Sequence, residues 1–218
     1  MDESTKAYQL TGVTLPGGWH IKERYAKKSS DTGGQFSVQY IAEKEEKEYF
    51  IKVIDIEKAL RGTDLTNFTK TLEQQLKAFN YEKDLLEKCR DRSLSKIVRV
   101  IDANMISVSE LTQYPIPFLV FEKADGNVRE YIKFQNDVDF AWKLQSLHDI
   151  ATGIEQLHSI EVIHQDLKPS NIFQFKAQSK IADLGRSKTF SGDGLFDRML
   201  VSGDKTYAPL EAGKIALA

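Results

Sequence analysis

The sequence predicts an α+β fold in which a small antiparallel sheet with one long helix is followed by a mainly helical second part. Three observations lead there. Strand-like segments with two-residue alternation crowd residues 19–54, one amphipathic stripe runs from Leu65 to Leu86, and a second from Phe140 to Leu157 precedes a polar loop dense in charged residues.

Taken in order, residues 19–26 read as a first strand and residues 27–34, rich in Ser, Asp, Thr and Gly, as the loop after it. A second strand spans about 35–42, and the charge run at 43–48 reads as a solvated hairpin turn. Residues 49–54 form a third strand, where alternation sets Phe50, Lys52 and Ile54 on one face. A lysine there is either an edge-strand guard against unwanted pairing or a functional cation. Leu65, Phe68, Leu72, Leu76, Phe79, Leu85 and Leu86 recur at helical spacing, in one helix or two pieces, and Glu82 lies among them. Residues 97–101 and 118–121 complete the sheet. Phe140, Leu144, Leu147, Ala151, Ile154 and Leu157 mark the second stripe, with Asp137 or Asp139 as its cap. His148 and His158 lack a Cys/His cluster and read as structural or surface residues.

With 218 residues, 41% of them apolar, the chain can hold one large domain or two small ones. A formal net charge of −2 removes a broad electrostatic case for nucleic acid or an anionic membrane surface. The single cysteine, Cys89, cannot form an intrachain disulfide and fits a reducing compartment. Met1-Asp2-Glu3-Ser4 opens no secretory signal, and the strongest apolar run, 116–121, is broken by Pro117 and far short of the ~20 residues of a membrane span. These features predict a cytoplasmic protein without nucleic-acid or membrane partners.

The chemistry lies in three motifs. His164-Gln165-Asp166-Leu167-Lys168-Pro169-Ser170-Asn171 fits H-x-D-x-K-x-x-N, which chance supplies on the order of once in a thousand chains of this length. Asp183-Leu184-Gly185 and Thr206-Tyr207-Ala208-Pro209-Leu210-Glu211 follow. Together they resemble the catalytic loop, the Asp-Phe-Gly motif and the Ala-Pro-Glu block of protein kinases, over about residues 19–211. The resemblance implies a bilobal kinase-like fold: an amino-terminal extension at 1–18, a small nucleotide-binding lobe at 19–121, a hinge at 122–126, and a helical catalytic lobe at 127–218. Because kinases continue for several helices beyond that block, this lobe is expected to lack its later helices and to need covering by self-association or a partner.

By the same resemblance, Asp166 accepts or orients the proton of the attacking hydroxyl and Lys168 places a cation beside the γ-phosphate. Asn171 and Asp183 offer hard oxygens to Mg²⁺. Lys52 meets the α- and β-phosphates of ATP and pairs with Glu82, both expected to face the same cleft as Asp183. Backbone groups of the segment containing Glu122 and Ala124 meet adenine, and Phe121 takes the gatekeeper place. Gly33 and Gly34 are what is kept of the glycine-rich phosphate loop. The implied activity is a Ser/Thr-type kinase acting on a protein substrate. The sequence departs from the family in that degenerate loop, in Phe50 where a small residue covers adenine, and in Gln165 where an arginine commonly receives a loop phosphate. These departures keep open a pseudokinase or regulatory binding module without catalysis, and behind it a small-molecule phosphotransferase.

Overall fold

In the computed structural model, which describes residues 4–26, 36–108, 112–133, 137–190, 204 and 206–207, the chain forms two compact units. One takes residues 1–84 and 99–123, the other 85–98 and 124–218.

The first unit is built on β1 (Thr14–Leu15), β2 (Trp19–Arg24), β3 (Ser37–Lys44) and β4 (Lys47–Ile54), then α1 (Ile56–Leu60), α2 (Leu65–Asp91, counted here to Asp84), β5 (Val100–Ile106) and β6 (Ile116–Glu122). Among the described residues these strands make one six-stranded antiparallel sheet in the order β1-β2-β3-β4-β6-β5. Of the charge run at 43–48 only Glu45 and Glu46 form the β3–β4 turn, the rest lying in the paired strand ends. Glu45 and Glu46 both take positive φ, +53° and +61°, as a two-residue hairpin loop matched to strand twist requires. On β4, alternation buries Ile51 and Val53 and leaves Phe50, Lys52 and Ile54 half-buried on the other face. The apolar positions from 65 to 86 belong to one unbroken helix, α2, and α1 occupies part of the extra length before it, with Asp55 accepting the Lys58 N–H as its cap.

The segment before Trp19, set apart in the sequence as an extension, contributes to this core. Ala7, Leu10 and Leu15 pack with Trp19, Tyr40, Ile51, Val53 and Phe118. A fully buried tyrosine needs an acceptor, and Tyr40 donates its hydroxyl to the Ala7 carbonyl at 2.6 Å. Thr5 donates to Asp55 at 2.8 Å. Gly17 sits at φ +87° where a Cβ would lie 2.7 Å from Asp102 Oδ2 and 2.8 Å from Trp19 Nε1, the two atoms that hydrogen-bond each other.

The second unit contains β7 (Gly126–Asn127), α3 (Val128–Tyr131), α4 (Phe140–Ser159), β8 (Val162–Ile163), β9 (Ile172–Phe175), β10 (Gln178–Ile181) and β11 (Lys188–Thr189). Strands β10-β9-β7 form a small antiparallel sheet, and β8 pairs with β11. Residues 97–98, expected in a strand of the first sheet, instead join this unit. Val98 N–H donates to Ile181 O and Ile181 N–H to Lys96 O, each at 2.8 Å, so β5 starts at Val100.

Helix α4 forms where the 140–157 stripe places it. Its apolar stripe is largely on the outside, with Phe140, Leu144 and Leu147 exposed by 69%, 52% and 63%. The inward face is Ser146, Asp149, Gly153 and Leu157, packed on β10 and β8. Gly153 permits close approach, since a Cβ would stand 2.8 Å from Ile181 Cδ1 and 3.1 Å from Lys96 O. Asp149 is tolerated at full burial because Lys96 Nζ lies 2.7 Å away, Ser179 N–H donates at 2.8 Å and the Gln145 amide at 3.0 Å. Asp139 occupies the N-cap position without a side-chain capping bond.

Candidate active site

In the first unit, the face of β4 opposite the core presents Lys52, and the inward side of α2 presents Glu82. Their side chains are 18% and 8% exposed and meet as a two-pronged ion pair, Nζ to Oε1 at 2.7 Å and to Oε2 at 3.0 Å. Sheltered from water, such a pair holds the ammonium in one place. Beside it, Phe50 faces Phe121 across the β4–β6 ladder, with ring centroids 6.5 Å apart, and Tyr25 meets Phe50 edge-on at 5.7 Å. Glu122 exchanges bonds with Arg99, accepting its N–H at Oε1 (2.9 Å) and donating its own N–H to Arg99 O (3.3 Å). Ala124 belongs to the second unit, so the chain passes between units after Lys123. Gly33 and Gly34 lie outside the described residues.

In the second unit, the loop between β8 and β9 gathers Asp166, Lys168 and Asn171. Lys168 Nζ sits 3.0 Å from Asp166 Oδ2. The Asn171 amide donates to Asp166 O at 2.9 Å and to Asp166 Oδ2 at 3.3 Å, bonds that leave its own carbonyl oxygen to act as an acceptor. Asn171 is itself held by backbone bonds, its N–H to Lys168 O at 2.8 Å and its carbonyl to Ala182 N–H at 2.9 Å. This last bond links the loop to Asp183, one residue on. Asp183 and Gln165 both have left-handed backbones, at φ +64° and +62°, which residues other than glycine adopt at a cost.

Two participants escape a reading of the sequence by roles. His164 is buried between the motifs: Asp166 N–H donates to its Nδ1 at 3.2 Å, and its Nε2–H donates to Ala182 O at 3.0 Å. Burial pushes its pKa below the usual imidazole value, which favours the neutral ring this pairing needs. Asp204 donates its backbone N–H to Asp166 Oδ1 at 2.7 Å, and its carboxylate lies 3.6 Å from Lys168 Nζ. His164 opens a visible motif, whereas nothing local in the sequence signals Asp204.

Asn171 and Asp183 could offer hard oxygens to a cation shared with phosphates, and among the described residues no group of three or more His, Cys, Asp or Glu side chains forms a cage of protein ligands. Mg²⁺ is commonly held this way, by one or two protein oxygens with phosphate and water completing its octahedron. A carboxylate, an ammonium and an amide oxygen fixed within one short loop can orient a hydroxyl and neutralise charge developing on a transferred phosphoryl group.

A family model described as "Protein kinase domain" matches residues 32–212. The chain is 30% identical over 146 residues to Extracellular signal-regulated kinase 7 of Drosophila melanogaster, covering 63% of this chain and 15% of that protein. It is 27% identical over 133 residues to Mitogen-activated protein kinase 5 of Oryza sativa subsp. indica, covering 57% and 35%. Against the Interferon-induced, double-stranded RNA-activated protein kinase of Mus musculus it is 35% identical over 94 residues, covering 40% and 18%. The chain spans about a third or less of the length of these relatives. No helix among the described residues is long and apolar enough to cross a membrane.

Proposed function

The chain belongs to the protein kinase domain family, and from that premise we propose that it transfers the γ-phosphate of Mg·ATP to a serine or threonine hydroxyl of a protein substrate. The observation that carries the proposal is the Asp166–Lys168–Asn171 cluster, in which base, cation and ligand amide share hydrogen-bond distance. Asp166 orients the hydroxyl and Lys168 meets the γ-phosphate. Asn171 and Asp183 would hold Mg²⁺, which would supply positive charge against that developing on the phosphates. Lys52, fixed by Glu82, takes the α- and β-phosphates; Gly33 and Gly34 belong to the loop over them, and backbone groups at Glu122 and Ala124 meet adenine. In this reading the small lobe, hinge and catalytic lobe are those expected at 19–121, 122–126 and 127–218, with the amino-terminal segment packed into the small lobe's core and residues 97–98 joining the second unit. The protein acts in the cytoplasm, without nucleic-acid or membrane partners. The exposed Phe140, Leu144 and Leu147 support the expectation that the second unit self-associates or takes a partner.

The division of labour is testable by thermal unfolding in rising ATP with and without Mg²⁺. Asp166→Asn should keep the Mg²⁺-dependent stabilisation by nucleotide, and Asp183→Asn should lose most of it. Equal loss in two folded variants contradicts the assignment. A second reading, a pseudokinase that binds a nucleotide or partner without catalysis, draws on the Tyr25–Phe50–Phe121 rings, which put bulk where the family has a small residue. It predicts weak or absent ATP binding that Phe50→Ala improves.

A further inference from the structure

We propose that Asp204 is a specificity-determining residue that competes with the terminal phosphate of a nucleoside triphosphate for Lys168. The inference rests on the kinase reading, and deepens it by saying which nucleotide the site prefers. The backbone and side chain of Asp204 do separate things. Its N–H donates to Asp166 Oδ1 at 2.7 Å, one carboxylate oxygen accepts the Thr206 N–H at 3.0 Å, and the other lies 3.6 Å from Lys168 Nζ. Lys168 therefore serves two carboxylates at once, with Asp166 Oδ2 at 3.0 Å. Among the described residues, one ammonium here meets two carboxylates.

Solvent damps this imbalance only in part, chiefly on the more open Asp204 side. The Asp166 and Lys168 side chains are 5% and 8% exposed and that of Asp204 27%, so charges a few ångströms apart interact much more strongly than in bulk water. Hydrogen bonds from Thr206, with Lys168 as a smaller contributor, hold the Asp204 carboxyl below the usual carboxylate range, and it is ionised at neutral pH. A γ-phosphate approaching Lys168 then brings a third anionic group to a cation already shared. A diphosphate has no such group and escapes the repulsion. Neutralising Asp204 should favour ATP and leave ADP alone.

Asp204→Asn and Asp204→Ser both keep the backbone N–H for Asp166 and a side-chain oxygen for the Thr206 N–H while removing the charge facing Lys168, Asn by replacing that oxygen with an amide and Ser by deleting it. Dissociation constants of Mg·ATP and Mg·ADP are measured by calorimetry on the full chain, with folding checked by thermal unfolding without nucleotide. The wild type should bind ATP no more tightly than ADP, and each variant should tighten ATP on the order of ten-fold with ADP unchanged. If one variant fails to fold, the other decides. Unchanged ATP affinity, or equal shifts for both nucleotides, overturns the inference while leaving the kinase reading standing. If neither nucleotide binds any form, the kinase reading fails and takes the inference with it.

Discussion

His164 donates and accepts in one plane, and that is how Asp166 is held: the ring joins the Asp166 N–H to the carbonyl of Ala182, 18 residues on from His164. Replacing it by leucine of similar bulk leaves both backbone groups short of a partner in a buried place. Each such loss costs about 1–3 kcal/mol. His164→Leu should therefore lower stability in chemical denaturation by at least ~1 kcal/mol and lower phosphoryl transfer with little change in the KM for protein substrate, because it acts through Asp166's position. A variant as stable and active as the wild type would show that the ring is a spacer. Asp166, Lys168 and Asn171 were legible as a set because they fall within six positions of one loop. Asp204 was not, since the fold brings it to Asp166 from 38 residues away with only a backbone N–H and one carboxylate as its signature.

Helix α4 shows what periodicity can and cannot tell at the scale of an element. The spacing correctly gives a helix over 140–159, yet the apolar stripe does not name the buried face. Close packing on β10 selects Gly153 for its missing Cβ and Asp149 for its bond to Lys96, features that count as polar or neutral in a hydropathy pattern. In the dilute, monomeric chain Leu147→Gln should thus change thermal stability very little, the side chain being 63% exposed, whereas Leu157→Ala, at 1% exposure, should cost about 2–5 kcal/mol. A loss in Leu147→Gln that grows with protein concentration would mean that a second copy covers the stripe, as the self-association reading expects; comparable losses in the monomer would mean that the stripe packs within the chain. Strand alternation was the more faithful guide on β4, where a one-residue slip would have turned Lys52 into the core and Ile51 out of it.

At the scale of the molecule, each unit has its own polar anchor. In the second unit it is Asp149 with Lys96, which ties α4 to the segment before β5 and to β10. Burial alone would raise the Asp149 pKa, but the bonds from Lys96, the Ser179 N–H and Gln145 outweigh it and leave the pKa lowered. The unfolded carboxyl titrates near ~3.9. Stability from this group is therefore complete above that value and is lost as pH falls through the lower, folded one. Acid unfolding followed by hydrogen exchange should show α4 and β10 opening below about pH 4, and Lys96→Met should cost about 3 kcal/mol at neutral pH by leaving a buried carboxylate unpaired. An unchanged acid limb in Lys96→Met would contradict the assignment. In the first unit, Tyr40 and Asp55 fasten the amino-terminal segment, whose membership the sequence did not reveal because its apolar residues, Ala7, Leu10 and Leu15, follow neither a helical nor a strand period.

The central claim is that the chain moves a phosphoryl group, and label transfer from γ-labelled ATP to a protein rich in serine and threonine tests it most directly. The purified wild type should incorporate label only with Mg²⁺, on serine or threonine, and Asp166→Asn should reduce the rate by about 10²–10⁴-fold while still binding nucleotide. Transfer that persists undiminished in Asp166→Asn, or a wild type that binds Mg·ATP and transfers nothing, would contradict it.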